Sequence, residues 1–252
     1  MKMLWLIGIE GSGHHMIRDV LRDFLASKEV VDKGAYYPLW LQRWDGEQDA
    51  LPRQAVRNVL KEILRGYQSS GCTHIYEDTS FPYGGTGQGE PFATCISGKE
   101  NRGVGRRPDI PDLIRLIGDL MDLRILVIYR SPQATVNSVL RRGFSNDPEF
   151  ECKLAGEIHH YLTEEIGRLP RDCYRTCNFD DFIASPSKHV LPLAEWWDLP
   201  PELIRKGLSR LREPTARHER PPERQEILEK YFTAKRVAPW LAAYRQNPLV
   251  ST

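Results

Sequence analysis

A glycine-rich turn near the start of the chain has the residue types that hold phosphate. The turn spans residues 8–13, after the apolar run 3–9 and before a helical pattern of apolar residues. A helix that begins directly after such a turn offers backbone N–H groups and the positive end of its dipole to an anion. The spacing fits G-x-x-x-x-G, but His14 and His15 stand where a nucleotide triphosphatase has Lys and Ser or Thr.

A second anion site is predicted where another apolar run gives way to a helical pattern. Arg130 ends the run 124–130, and Pro132 suits the first turn of the helix that follows. Arg130 offers a planar, charged fork to phosphate oxygens, and Ser138 offers a hydroxyl about two turns later. An arginine at a strand end also commonly pairs with a carboxylate, so the prediction depends on both turns together.

Titratable side chains near these turns are candidates for moving a proton. Glu77 and Asp78 follow a short apolar run, and either could serve as a general base or cap the turn that the next residues favour. His14 and His15 could contact a bound anion in their charged form, or could cap the helix and pack beneath the loop. In contrast, we expect His159 and His160, inside a predicted helix, to lie at the surface.

Strands and helices alternate along the chain and would bring these residues together. Apolar runs predict strands at residues 3–9, 73–77, 124–130 and 173–179. Helical patterns occupy residues 52–67, 111–121, 132–142, 150–169 and 186–197. This alternation predicts an α/β fold, a three-layer sandwich with a central, mainly parallel sheet that binds ligands at the carboxyl ends of its strands.

Length and composition limit the classes of protein to which the chain can belong. Its 252 residues suit one domain, 1–252, with a long loop at about 80–108 and a helical, basic part at about 201–252. A loop of this length is equally typical of a functional lid and of a disordered segment. The 35 basic and 34 acidic residues nearly cancel, so we expect no nucleic-acid partner. The first apolar run is too short for a signal peptide or membrane span, and a soluble, cytoplasmic protein is expected.

The two turns and the residues beyond them resemble PAPS-dependent sulfotransferases, which move a sulfuryl group from 3'-phosphoadenosine 5'-phosphosulfate (PAPS) to a hydroxyl or amine. Ser12-Gly13 resembles the core of their P-loop-like phosphosulfate loop, most of all in the protein-tyrosine sulfotransferases. Arg130 and Ser138 have the spacing of the pair that holds the 3'-phosphate, and Phe179 matches an aromatic residue near adenine. The resemblance implies donor contacts from Gly11, Ser12, Gly13, His14, His15, Met16, Arg130, Ser138 and Phe179.

The departures from this family pattern concern the catalytic groups. Relatives usually have Lys or Arg at the position of Gly11, where the cation stabilises the bridging oxygen of the leaving phosphate. His14 or His15 could supply that positive charge. Glu77 resembles the catalytic Glu of the heparan N-sulfotransferase branch, although Asp78 replaces the Lys that normally follows. Glu77 is therefore the first candidate for the base, with Asp78 and His15 behind it.

The resemblance implies a sulfotransferase that uses PAPS, needs no metal and acts on a small-molecule, lipid or peptide acceptor. An aromatic cluster after the first helix could form an acceptor pocket or pack in the core: Tyr36, Tyr37, Trp40 and Trp44. Two alternatives stay open. The Gly8 to Gly13 spacing would suit a nucleotide or small-molecule kinase, although the missing Lys and Ser/Thr argue against one. Gly11 would also suit a nucleotide-binding homologue without catalysis.

Overall fold

The computed structural model describes residues 1–32, 53–81, 110–143, 146–211 and 222–250. In these ranges one five-stranded sheet has the order β2-β3-β1-β4-β5, and every pairing between neighbours is parallel. The strands are β1 (Lys2–Ile9), β2 (Val30–Asp32), β3 (His74–Phe81), β4 (Asp122–Tyr129) and β5 (Tyr174–Asn178). The predicted α/β fold with a mainly parallel sheet is confirmed.

β1 lies at the centre of the sheet because its sequence is apolar on both faces. Met3 through Ile7 have no exposed surface. A central parallel strand is covered by helices on both sides and therefore reads as a continuous apolar run. β3 and β4 flank β1, so Ile9 pairs with Phe81 on one side and Gly8 pairs with Ile128 on the other. The carboxyl ends of the three strands consequently meet at one edge.

Helices cover both faces of the sheet and give the three layers that the sequence predicted. Met3, Trp5 and Ile7 face one layer, and Leu4 and Leu6 face the other, since successive side chains of a strand alternate. The first layer contains α2 (Arg53–Ser69), α3 (Ile110–Ile117), α4 (Pro132–Arg141), α5 (Pro148–Gly167), α9 (Pro222–Tyr231) and α10 (Ala234–Tyr244). The second contains α1 (His14–Leu25), α6 (Phe179–Ala184), α7 (Pro186–Trp197) and α8 (Pro201–Leu208).

Two strand predictions need correction. β3 continues to Phe81, whereas the sequence prediction ended it at residue 77, so Ser80 and Phe81 belong to the sheet and not to the loop at about 80–108. β2 was missed because its three residues are too few to show a period. The rest of that loop, residues 82–108, and the aromatic residues Tyr36, Tyr37, Trp40 and Trp44 lie outside the described ranges.

The prediction that His159 lies at the surface was wrong. His159 is only 1% exposed, and its ring stacks on Trp240 with ring centroids 5.3 Å apart. The Tyr244 hydroxyl lies 3.0 Å from its Nδ1. His160, the next residue, points outward beside Glu164. The single-residue step around α5 thus separates a core histidine from a surface histidine.

None of the helices in the described ranges has the length and apolar character needed to span a membrane.

Candidate functional site

The glycine loop joins β1 to α1 in a conformation that depends on two glycines. Gly11 and Gly13 have φ angles of 91° and 99°, values that residues with a Cβ rarely adopt. The Ser12 hydroxyl donates to the Ile9 carbonyl and closes the turn from inside. Gly13 caps α1 without a side-chain hydrogen bond, and the first turn of the helix has no acidic residue. The start of α1 therefore keeps its attraction for an external anion.

α4 packs against the loop at Gly11 and places Ser138 beside it. A Cβ added to Gly11 would lie 2.8 Å from the Thr135 carbonyl oxygen and 3.2 Å from the Cβ of Ser138. α4 begins with Pro132 and is capped by the Ser131 hydroxyl, which accepts from the Ala134 N–H. The predicted second turn is thus formed, and its serine borders the first.

Phe179 and Arg130 form the other wall of the site. Phe179 is the first residue of α6, after β5, and its ring occupies the place where a Cβ on Gly13 would stand. The guanidinium carbon of Arg130 lies 4.9 Å from the centroid of that ring. The Arg130 Nε donates to Asp180 Oδ1 at 2.9 Å. Among the described residues, this is the one carboxylate paired with Arg130.

Asp180 was not recognised from the sequence as a member of the site. Its position directly after Phe179 was the available signal, because a residue at the start of α6 lies beside the end of β4. The Asn178 side chain accepts from the Asp180 N–H at 2.9 Å and fixes this helix start. Asp180 in turn orients the guanidinium of Arg130. The pairing uses Nε, so the terminal nitrogens of Arg130 are available for a phosphate.

His14 and His15, adjacent in sequence, have different environments. His14 is 5% exposed, and its Nδ1 is hydrogen-bonded to Asp78 Oδ1 on β3. Asp78 is 2% exposed. His14 Nε2 lies 2.8 Å from the point where a Cβ on Gly8 would stand, so the imidazole covers the end of β1. His15 is exposed, and Met16 is partly buried.

Glu77 is placed apart from this pair. It pairs in register with Trp5, and its neighbour Asp78 pairs with Leu6. Because successive side chains alternate, Asp78 faces α1 and Glu77 faces the opposite helical layer. Glu77 has no exposed surface and lies four residues before the end of β3. The structure therefore brings Asp78 and His14 together and does not bring Glu77 to them.

Arg18 and Tyr76 continue the polar contact between α1 and β3. The Arg18 guanidinium pairs with Asp32 and lies 5.6 Å from the centroid of the Tyr76 ring. Complete burial, together with the charge of Asp78, holds the pKa of Tyr76 well above its usual value. The phenol therefore remains neutral. His14 and Arg18 are four residues apart and so share one face of α1.

The geometry fits a ligand with two anionic groups and an aromatic ring. The loop and the start of α1 form one anion site, and Arg130 with Ser138 forms a second. Phe179 lies against both, since it touches Gly13 and Arg130. All of these residues lie at the carboxyl edge of the sheet, where β1 has neighbours on both sides and the chain connections diverge. His14 Nε2, buried at the start of α1, adds a nitrogen without a hydrogen-bond partner in the described ranges.

Comparison with solved structures gives the fold. A sulfotransferase from Alicyclobacillus acidocaldarius superposes with a TM-score of 0.51 and 13% sequence identity, covering 97% of this chain and 96% of that one. The sulfotransferase domain of the Synechococcus PCC 7002 olefin synthase gives a TM-score of 0.49 and 14% identity, covering 97% and 93%. No protein-family model and no curated protein sequence matches the chain. The superposition on the Alicyclobacillus protein shows that the chain has a sulfotransferase fold, as the resemblance implied.

Proposed function

We propose that this chain, which has the fold of a sulfotransferase, transfers a sulfuryl group from PAPS to a hydroxyl or amine acceptor. The observation that supports this most directly is the meeting of two anion-binding turns at one edge of the sheet. PAPS carries anionic groups at the 5' and 3' positions of its ribose and an adenine at the 1' position. The single phosphate chain of a nucleoside triphosphate would use one of the two turns, whereas PAPS would use both.

The proposed donor contacts lie at the two turns and at the start of α6. The 5'-phosphosulfate binds over the loop and the start of α1, at Gly11, Ser12, Gly13, His15 and Met16. The 3'-phosphate binds Arg130 and Ser138, with Asp180 holding the Arg130 guanidinium in place. Phe179 supports the adenine.

The transfer is an in-line displacement that this site would assist by position and by charge. The acceptor oxygen forms a bond to sulfur, and the bond from sulfur to the bridging oxygen breaks. A base takes the acceptor proton. Of the candidates, Asp78 is bound to His14, and Glu77 faces the other layer of the fold. His15, exposed in the first turn of α1, is therefore the base that we propose.

Binding of adenosine 3',5'-bisphosphate, the product of the donor, tests the proposed function without an acceptor. We expect calorimetry to show binding that exceeds binding of ATP with magnesium. Arg130→Ala should weaken binding about tenfold or more, since a hydrogen bond to a charged group is worth ~1.5–3 kcal/mol. Arg141→Ala, at an exposed position in the last turn of α4, is the matched control and should bind normally.

Two results would contradict this proposal. A preference for ATP with magnesium would favour the kinase alternative. Equal losses of affinity in Arg130→Ala and Arg141→Ala would contradict the assignment of Arg130 to the 3'-phosphate. If the bisphosphate binds as expected, transfer of radiolabelled sulfate from PAPS to a broad panel of alcohols, phenols and amines distinguishes an active enzyme from a homologue that only binds nucleotide.

A further inference from the structure

The buried pair of His14 and Asp78 lies directly beside the glycine loop, at the start of α1. The hydrogen bond with the Asp78 carboxylate uses only one nitrogen of the His14 ring, Nδ1. The other ring nitrogen, Nε2, is buried without a partner in the described ranges. A buried polar atom left in this state costs about 1–3 kcal/mol. A hydrophobic residue would fill the space beneath the loop without that cost.

The position of Nε2 indicates what its missing partner is. His14 is the first residue of α1, directly after the loop, and its ring lies over Gly8 at the end of β1. An anion bound at the loop and the start of α1 would lie beside this ring. Gly11 brings no side chain to the loop, so a positively charged side chain that acts on this anion has to come from another position.

We propose that His14, held by Asp78, supplies the positive charge that stabilises the 5'-phosphate as the sulfuryl group leaves. This inference rests on the proposed function. Asp78 accepts from Nδ1, and Nε2 donates to an oxygen of the leaving phosphate. When the bond from sulfur to the bridging oxygen breaks, the electron pair stays on that oxygen, next to the imidazolium. Asp78 acts as a positioning residue because it touches His14 and not the donor.

The surrounding charges agree with this arrangement. From β3, Asp78 and the neutral Tyr76 phenol face α1. From α1 itself, Arg18 is paired with Asp32 of β2, and its charge also attracts that of Asp78. The helix dipole alone disfavours a positive charge in its first turn. Asp78 offsets that effect on one side of the ring, and the bound phosphate adds a second negative charge on the other.

A single substitution separates the two ring nitrogens. His14→Asn keeps a donor at the place of Nδ1, so Asp78 stays paired, but it removes Nε2. We expect this variant to bind adenosine 3',5'-bisphosphate about tenfold or more weakly than the wild type, the loss of one charged hydrogen bond. Its melting temperature without ligand should change little. His160→Asn, an exposed site on α5, is the control and should bind normally.

Nitrogen NMR of the unmodified protein provides a second readout that needs no variant to fold. With labelled histidine, we expect the ligand-free protein to show His14 protonated at Nδ1, and the bisphosphate complex to show both nitrogens protonated. Binding with an unchanged Nε2 signal, or with full affinity in His14→Asn, would overturn this inference alone. Failure of the wild-type protein to bind the bisphosphate would overturn the proposed function as well.

Discussion

Gly13 is required at its position for two independent reasons. Its φ of 99° lies in the left-handed region, and the Phe179 ring fills the space that any Cβ would need. The first reason concerns the loop by itself, and the second concerns its fit to α6. The loop and the Phe179 ring therefore form one continuous surface.

We predict that Gly13→Ala lowers both stability and ligand affinity. The added methyl group must displace the Phe179 ring and strain the backbone, at a cost of ~1–3 kcal/mol. Binding of adenosine 3',5'-bisphosphate should fall at least tenfold, and thermal unfolding should shift down by several degrees. Calorimetry and a melting curve measure the two effects.

Gly66→Ala is the matched control. Gly66 lies inside α2 with no atom within 4 Å of an added Cβ, so alanine should leave binding unchanged and raise stability by ~0.5–1 kcal/mol. Equal behaviour of the two variants would show that the loop does not depend on the contact with Phe179.

At the scale of elements, the sequence was sufficient for the main strands and for the residues that meet at their ends. The apolar run of β1 and the Arg130 turn each carried a local signal, and a parallel sheet brings strand ends together. The contact of His14 with Asp78 carried no such signal. It depends on the register of Leu6 with Asp78, and a shift of one residue would have turned Glu77 toward α1 instead.

The close packing of α8 on α1 was also beyond the sequence prediction. A Cβ on Gly207 would run into the carbonyl group of Val20, so the two helix backbones touch. We predict that Gly207→Ala forces the helices apart and lowers the free energy of unfolding by ~1–3 kcal/mol. Urea denaturation measures the change.

Gly167→Ala provides the comparison for that substitution. Gly167 is the last residue of α5, and an added Cβ there would meet nothing within 4 Å. Its denaturation midpoint should stay at or above that of the wild type. A similar loss of unfolding free energy in both variants would mean that the close contact of α8 with α1 at Gly207 does not contribute to stability.

For the whole molecule, His159 predicts how stability depends on pH. Burial lowers its pKa from 6.5 to about 3. The His159 ring therefore binds a proton below pH 6.5 in the unfolded chain, but in the folded protein it binds one only when pH falls to about 3. As pH decreases across that window, the free energy of unfolding falls by ~1.4 kcal/mol per pH unit because of this residue alone.

We expect His159→Asn to flatten this dependence between pH 6.5 and 5, a range above the titration of most carboxylates. The amide can keep a hydrogen bond to Tyr244, so the comparison concerns the slope and not the stability at neutral pH. Chemical denaturation at several pH values gives the slope. His160→Asn, on the surface of the same helix, should retain the wild-type slope, and the proposal fails if His159→Asn retains it too.

The central place of β1 has a consequence for synthesis of the chain. β1 precedes both of its neighbours in sequence, since β3 begins at His74 and β4 at Asp122. At ribosomal rates of ~5–20 residues per second, its apolar segment stays without its second neighbour, β4, for on the order of ten seconds. During that time it has an open edge that other chains can join. Slower translation should therefore increase aggregation of the nascent chain, and a chaperone that holds apolar segments should reduce it.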